Sequence, residues 1–173
     1  MNPDVSTMPL TGLLRLYGDL LRELVRRGVC RSKNNPVADI AETLVSRALH
    51  LRLMEKSTKG YDAVDELGKR YEIKARRLTP DNPSRMLSVL RDCEGKHFEY
   101  LAGILFRQDF SVQRACLIPL DVVLAKAPFR KHVNGRILEL KNELWDESGV
   151  IDITTQVASA LAALDSAAAT ATA

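Results

Sequence analysis

The chain has few of the residues that build zinc, disulfide or thiol sites. Its cysteines are only three, Cys30, Cys93 and Cys116, and no two of them form a C-x-x-C pair. An odd count of widely separated cysteines argues against a disulfide framework or a zinc knuckle and suits a reducing cytoplasm, so we expect all three in the core. The three histidines have no partner at metal-ligand spacing, and none is expected to be catalytic.

Long apolar runs and a strong charge of one sign are also missing. No uninterrupted apolar segment is long enough to span a bilayer, and no signal-like start is present. We therefore expect a soluble, cytoplasmic protein with no membrane partner. The net charge of +3 is small, so a nucleic-acid partner has to be argued from local basic clusters. What remains is ordinary globular composition over 173 residues, 46% hydrophobic and 27% charged, which predicts one domain with a real core.

The most informative stretch is residues 61–77, which predicts a β-hairpin. From Arg70 to Arg76 apolar and charged residues alternate strictly, and in a strand this places one set on a core face and the other on a charged face. The preceding residues 61–65 form a short run that carries β-formers, and Gly68 lies in the predicted turn between the two strands.

The register of this hairpin decides which aspartate faces the charged strand. A loop of residues 66–68 places Asp62 directly opposite Glu72, whereas a two-residue loop would bring Asp65 onto the charged face instead. We favour the three-residue loop, because Gly68 then occupies the position that requires a positive φ.

Facing carboxylates at this position predict a metal site. Side chains on directly opposed strand residues have β-carbons about 5 Å apart, which is costly for two carboxylates unless a cation lies between them or one is protonated. Oxygen ligands without nearby histidine or cysteine suit Mg²⁺ or Mn²⁺. Asp62 and Glu72 are the predicted ligands, with Asp65 as the alternative. Lys74 projects from the same face, where it could orient or deprotonate a metal-bound water or neutralise charge on a phosphate.

A simpler interpretation is that the alternating charges form a solvated face that protects an edge strand. The neighbouring sequence bears on this choice. Asn35 and Pro36 predict the start of a helix that runs to about residue 49. On that helix Glu42 lies at the border of the apolar stripe, about 100° from its centre. It could therefore reach a sheet edge, or equally pair with a nearby cation such as Arg47.

The remainder of the chain predicts a mixed α/β domain. Residues 1–9 are expected to be a flexible leader, residues 10–165 one domain and residues 166–173 a low-complexity tail that frays. An amphipathic helix is predicted at residues 10–27, where it would pack on the domain. Further helices are predicted at residues 84–93 and 121–127 and from residue 154. Strands are predicted at residues 49–54, 100–106, 115–120 and 136–140.

Basic residues form two clusters around the predicted site. Such clusters beside carboxylates that hold a cation suit a phosphate backbone. Together they could grip both walls of a groove, and an asparagine in the second cluster could contact a base or a phosphate. The first cluster is Lys56, Lys59, Arg76 and Arg77, and the second is Arg130, Lys131 and Asn134.

This order of elements resembles the PD-(D/E)xK phosphodiesterase superfamily of restriction endonuclease-like proteins. The motifs at residues 35–42, 57–63 and 71–77 are similar to those of a group of small bacterial proteins of this type, and the similarity runs over about residues 35–154. The position before Asp62 is Tyr61 where the superfamily motif has proline. The resemblance implies a three-layer α/β/α core with a central mixed β-sheet, here preceded by the N-terminal amphipathic helix.

The resemblance also implies roles for the candidate residues. Asp62 and Glu72 would hold the metal, Lys74 would assist the attacking water, and Glu42 would be an auxiliary acid. The expected activity is that of a Mg²⁺-dependent (or Mn²⁺-dependent) endodeoxyribonuclease of restriction or defence type, acting on double-stranded DNA. A homodimer or a partner subunit is plausible. The alternative is a nucleic-acid-binding module on the same scaffold that does not cleave, or cleaves only with a partner. The intact set of two acids and a lysine favours the enzyme.

Overall fold

A computed structural model describes residues 4–55 and 60–170 of the chain. Over these residues it shows a mixed sheet of six strands, a separate two-stranded ribbon and four α-helices. The helices are α1 (Leu10–Arg26), α2 (Pro36–Ala48), α3 (Leu120–Lys126) and α4 (Thr154–Thr170). The strands are β1 (Arg52–Leu53), β2 (Ala63–Val64), β3 (Arg70–Arg77), β4 (Tyr100–Phe106), β5 (Val112–Pro119), β6 (Phe129–Arg130), β7 (Gly135–Arg136) and β8 (Ile151–Asp152).

The main sheet has the strand order β1-β2-β3-β4-β5-β8, and within it only β3 and β4 run parallel. Residues 101–106 of the central strand β4 are all buried, which confirms the prediction that this apolar run is covered on both faces. β6 and β7 form the ribbon outside the sheet. No helix among the described residues is long and apolar enough to cross a membrane.

Regular helices cover one face of the sheet. The interior of this face is formed by α2 and α4 against the apolar side of β3 and alternate residues of β4 and β5. Leu44 and Val45 of α2 are fully buried there. The predicted start of α2 is confirmed, since the Asn35 side chain accepts a hydrogen bond from the Val37 backbone N–H at 3.1 Å and Pro36 is the first helical residue.

The opposite face is covered by α3 and by irregular chain. The predicted helix at residues 84–93 is wrong, because this segment pairs with residues 136–140 instead of with itself. Leu87 donates its backbone N–H to the Leu138 carbonyl at 2.9 Å, and Leu90 and Arg136 exchange backbone hydrogen bonds of 2.9 and 2.8 Å. Leu87 and Leu90 are buried as expected, whereas Met86 is 49% exposed. This pairing gives hydrogen-bond partners to backbone N–H and C=O groups that a helix would have paired with one another.

Three other predicted elements differ from the structure. The first strand is limited to β1, since Leu51 bonds back to the Ser46 carbonyl at the end of α2. The predicted strand at residues 136–140 is broken, with β7 in the ribbon and isolated bridges from Glu139 to Met86 and from Arg136 to Leu90. The tail expected from residue 166 is helical as far as Thr170. The predicted position of α3 is confirmed to within one residue.

The predicted hairpin register is confirmed. β2 and β3 pair with Ala63 opposite Tyr71 and Val64 opposite Arg70, and the preceding residue, Asp62, bonds to the backbone of Tyr71 and Ile73 on either side of Glu72. Gly68 closes the three-residue turn with a φ of +80°, and its backbone N–H bonds to the Asp65 carbonyl at 3.1 Å. A glycine is suited to this position because residues with a β-carbon rarely adopt positive φ.

The turn makes a testable prediction about Gly68. A β-carbon added there would meet no atom within 4 Å, so the cost of Gly68→Ala is conformational and should lower the free energy of unfolding by about 1–2 kcal/mol. Gly68→Asn should cost less, because asparagine tolerates positive φ better than alanine does. Urea denaturation of both variants measures the difference, and equal stability of Gly68→Ala and the wild type would contradict the turn geometry.

Candidate active site

Asp62 is held at the end of the short strand β2. Its backbone N–H bonds to the Tyr71 carbonyl at 2.8 Å, and its carboxylate accepts the Ile73 backbone N–H at 2.7 Å. The Asp62 side chain thus accepts the next hydrogen bond along β3, at the point where backbone pairing with β2 ends. This hydrogen bond fixes the carboxylate beside the middle of β3, next to Glu72.

Glu72 and Lys74 project from the face of β3 opposite the buried side chains of Tyr71 and Ile73. Although charged, they are largely enclosed, with 15% and 21% of their side chains exposed, and they form an ion pair with each other. A solvated edge face would leave such groups in water. The structure instead brings the two predicted carboxylates and the predicted lysine together in a sheltered position.

The pKa values of this group follow from burial and mutual charge. Burial raises the pKa of Glu72, and the negative charges of Asp62 and Glu42 raise it further against the opposing effect of Lys74. Burial alone would lower the pKa of Lys74, but the charges of Glu72, Asp62 and Glu42 outweigh it and raise the pKa. The three acids therefore act on one another across a poorly solvated space. Such a space favours a bound cation.

Glu42 reaches this group from α2. Burial raises its pKa, and the charge of Asp62 adds to that effect while Arg31 opposes it. The side chain forms an ion pair with Arg31, not with Arg47. Arg31 also donates to the Met54 carbonyl at 2.5 Å. Arg31 was not among the predicted site residues, because it lies in a loop without periodicity and only the fold brings it to Glu42.

The loop that carries Arg31 is held by Asp39 in the first turn of α2. The Asp39 carboxylate is buried and accepts the backbone N–H groups of Arg31 and Ser32 at 2.9 and 2.7 Å and the Ser32 hydroxyl at 2.8 Å. These charge-assisted bonds keep the Arg31 backbone against the start of the helix. Asp39 therefore supports the Arg31–Glu42 pair, a role that the motif position alone did not indicate.

Asp65, the alternative ligand, does not join the site. Its carboxylate accepts the backbone N–H groups of Leu67 and Lys69, both at 2.9 Å, and the Tyr71 hydroxyl at 3.1 Å. It lies on the core side of the hairpin and caps the turn. Asp62, and not Asp65, is therefore the aspartate whose carboxylate lies beside Glu72.

Residues 92–97 pack against the chain that leads into Asp62. A β-carbon on Gly60 would lie 2.5 Å from the His97 Cβ, so only glycine fits this approach. The His97 ring in turn contacts the Asp92 carboxylate through Nε2 at 2.7 Å. Neither residue was predicted to contribute to the site, and their role here is to fix the backbone two residues before Asp62.

The first basic cluster is divided by the sheet. Arg76 lies on the same face of β3 as Glu72 and donates to the Ser84 carbonyl and the Asn82 side chain. Arg77 points to the other face, where its guanidinium lies 4.3 Å from the centre of the Phe110 ring. The prediction that Arg77 flanks the site is therefore wrong, because adjacent strand residues alternate in direction. Lys56 and Lys59 lie outside the described residues.

The second basic cluster lies on the ribbon. Arg130, Lys131 and Asn134 are exposed, and Asn134 adopts a φ of +48°. Ala127 and Leu138, on either side of the ribbon, both belong to the core on the irregular face of the sheet. The ribbon is therefore on the side of the sheet from which Glu72 and Lys74 project.

The candidate site consists of Asp62, Glu72 and Lys74, with Glu42 near enough to act on them electrostatically. Within residues 4–55 and 60–170, no group of three or more histidine, cysteine, aspartate or glutamate side chains is placed to hold a metal ion. Comparison of the chain with models of protein families and with curated proteins found no match. The geometry of Asp62, Glu72 and Lys74 is therefore the basis for assigning a function to this chain.

The Arg31–Glu42 pair makes a prediction about stability. Arg31→Met should lower the free energy of unfolding at neutral pH by about 3 kcal/mol, because it leaves a largely enclosed carboxylate without its cation. Since folding raises the pKa of Glu42, ionisation of Glu42 opposes folding above its unfolded pKa. The difference in the free energy of unfolding between the wild type and Arg31→Met should therefore become smaller as the pH falls and Glu42 becomes protonated.

The matched control is the double variant Arg31→Met with Glu42→Gln. It removes both charges and should recover most of the lost stability, which chemical denaturation at several pH values measures. A double variant as unstable as the single one would show that Arg31 acts through packing and not through Glu42.

Proposed function

We propose that this chain is a Mg²⁺-dependent endodeoxyribonuclease with a restriction endonuclease-like fold, which hydrolyses phosphodiester bonds of double-stranded DNA. The observation that carries this proposal is the hairpin, which holds the Asp62 carboxylate beside Glu72 with Lys74 on the same sheltered face. Enclosing two carboxylates near each other costs free energy of folding. A catalytic role therefore explains their position more readily than a contribution to stability does.

The donor set fits a magnesium or manganese ion. Asp62 and Glu72 would hold it, and Mg²⁺ is commonly bound by one or two carboxylates with water and substrate phosphate completing its shell. A cluster of three protein ligands is therefore not required. When bound, the ion would stabilise charge on the phosphate and activate a water molecule. The hydrogen bond from Ile73 to Asp62 orients one ligand in advance, and the Glu72 carboxylate would exchange Lys74 for the ion.

Of the two roles considered for Lys74, its environment supports the electrostatic one. The neighbouring acids raise its pKa, so it remains an ammonium group at neutral pH and is a poor general base. As a cation it would orient the attacking water and stabilise negative charge that develops on the phosphate. Glu42 would act as the auxiliary acid, held in place by Arg31.

Plasmid cleavage tests the proposal. Supercoiled DNA with Mg²⁺ or Mn²⁺ should be nicked or linearised by the wild type. Asp62→Asn, Glu72→Gln and Lys74→Met should each reduce the rate by about 10²–10³-fold, the usual effect of removing one group that stabilises the transition state. Asp65→Asn is the matched control, because it changes an aspartate of the same hairpin that only caps the turn. Its cleavage rate should stay close to that of the wild type, because asparagine keeps a side-chain oxygen that can accept the same backbone N–H bonds of the turn.

A non-cleaving nucleic-acid-binding module is the second candidate. Pairing of Glu72 with Lys74 and of Glu42 with Arg31 favours it, because acids that are neutralised within the protein repel a phosphate backbone less. A wild type that binds DNA yet leaves it intact under both metals would establish this candidate and overturn the nuclease.

DNA binding by the ribbon makes a separate prediction, which applies to both candidates. Arg130→Ala with Lys131→Ala should weaken binding of a DNA duplex and lower the slope of log K against log salt concentration by about 2, because each side chain would neutralise about one phosphate. Arg27→Ala with Arg47→Ala is the control, since it removes equal charge from the helical side of the sheet. Fluorescence anisotropy over a salt series measures both, and an unchanged slope in the ribbon variant would exclude Arg130 and Lys131 from the interface.

A further inference from the structure

The N-terminal part of α1 presents apolar side chains to solvent. The predicted packing of this helix on the domain holds only for its last turns, where Leu21 is buried and Leu24 and Val25 pack partly against the core. Five of the six large apolar residues before them are 36–70% exposed, and the sixth, Leu16, is half-buried. These exposed residues are Leu10, Leu13, Leu14, Tyr17 and Leu20.

The exposed residues lie on one continuous stripe of the helix. The spacing of four of them, taken with Leu24 at the packed end of the helix, alternates between three and four, which is the a and d pattern of a helix that packs along another helix. We call this stripe the α1 seam, and its members are Leu10, Leu13, Tyr17, Leu20 and Leu24. Leu14 and Leu21 lie beside it and widen it. A surface helix of a monomer would turn such a stripe toward its own core.

The polar side of α1 gives little attraction to a charged partner. Asp19 forms an ion pair with Arg22, and Glu23 forms ion pairs with both Arg26 and Arg27. The two acids therefore offset half of the charge of Arg15, Arg22, Arg26 and Arg27, and the remaining charge is smaller than that of the clusters of about four to eight basic residues that bind anionic lipids. The feature left for recognition is the apolar seam itself.

We propose that a second copy of the chain covers the α1 seam, so that the protein forms a two-fold dimer through α1. A two-fold interface uses the same surface on both copies and needs no charge complementarity beyond that surface. Tyr17 and the four leucines together expose the equivalent of nearly three whole residues, which leaves about 500 Å² of surface per copy if each offers about 150–200 Å², the lower part of the range for aromatic side chains. Two copies would bury about 1,000 Å², the lower limit for a specific interface. This inference stands apart from the proposed nuclease activity and does not require it.

Self-association in solution tests the dimer. Light scattering after size exclusion, and sedimentation equilibrium across micromolar concentrations, should give the wild type twice the monomer mass. Leu13→Glu with Leu20→Glu places two charges in the seam and should weaken self-association by at least about 100-fold, since an unpaired charge is costly in an apolar interface. Both residues are exposed in the monomer, so the far-ultraviolet circular dichroism should be retained.

The matched control is Thr11→Glu with Arg15→Glu, which places the same residue type on the polar side of α1 and should leave the dimer intact. A monomeric wild type, or equal dimerisation by the seam variant and the control, would overturn the proposal. The same proteins are sedimented with vesicles of phosphatidylcholine and phosphatidylserine. A monomeric wild type that binds the vesicles while the seam variant does not would assign the seam to a lipid surface instead and likewise overturn the dimer.

Discussion

The antiparallel pairing of β2 with β3 is the interaction on which the candidate site depends. β2 contributes only two residues to the sheet, yet the pairing determines which acid faces Glu72, because a shift of one residue would turn every side chain to the other face. Three independent features hold the register. They are the turn with positive φ at Gly68, the hydrogen bond from the Lys69 N–H to the Asp65 carboxylate and the hydrogen bond from the Ile73 N–H to the Asp62 carboxylate. A strand this short would otherwise be weakly specified.

The charges of the site are balanced within the protein. Glu72 is paired with Lys74 and Glu42 with Arg31. These pairs offset the repulsion between the enclosed acids, which would otherwise destabilise the domain. Both pairs are sheltered enough that breaking either one leaves a costly charge. The same balance is what a stable, non-cleaving scaffold would require, which is why activity measurements are decisive.

The two faces of the sheet are built differently, and this places the site. α2 and α4 close one face with regular helices, while the other has α3 and chain that pairs through isolated bridges. Glu72 and Lys74 project on this irregular side, which also carries the exposed ribbon residues Arg130 and Lys131. Irregular segments leave room for a ligand where packed helices would not.

Local patterns in the sequence determined the elements with short-range causes. The strict alternation of β3, the cap of α2 at Asn35 and the turn at Gly68 depend on neighbours along the chain, and all three agree with the structure. Tertiary pairing decided the remainder. Residues 84–93 bond to residues 136–140 instead of forming a helix, Arg31 reaches Glu42, and the N-terminal part of α1 extends past the core. These outcomes depend on backbone and side-chain partners distant in sequence, and a local pattern carries no information about which distant group will satisfy a hydrogen bond or cover an apolar face.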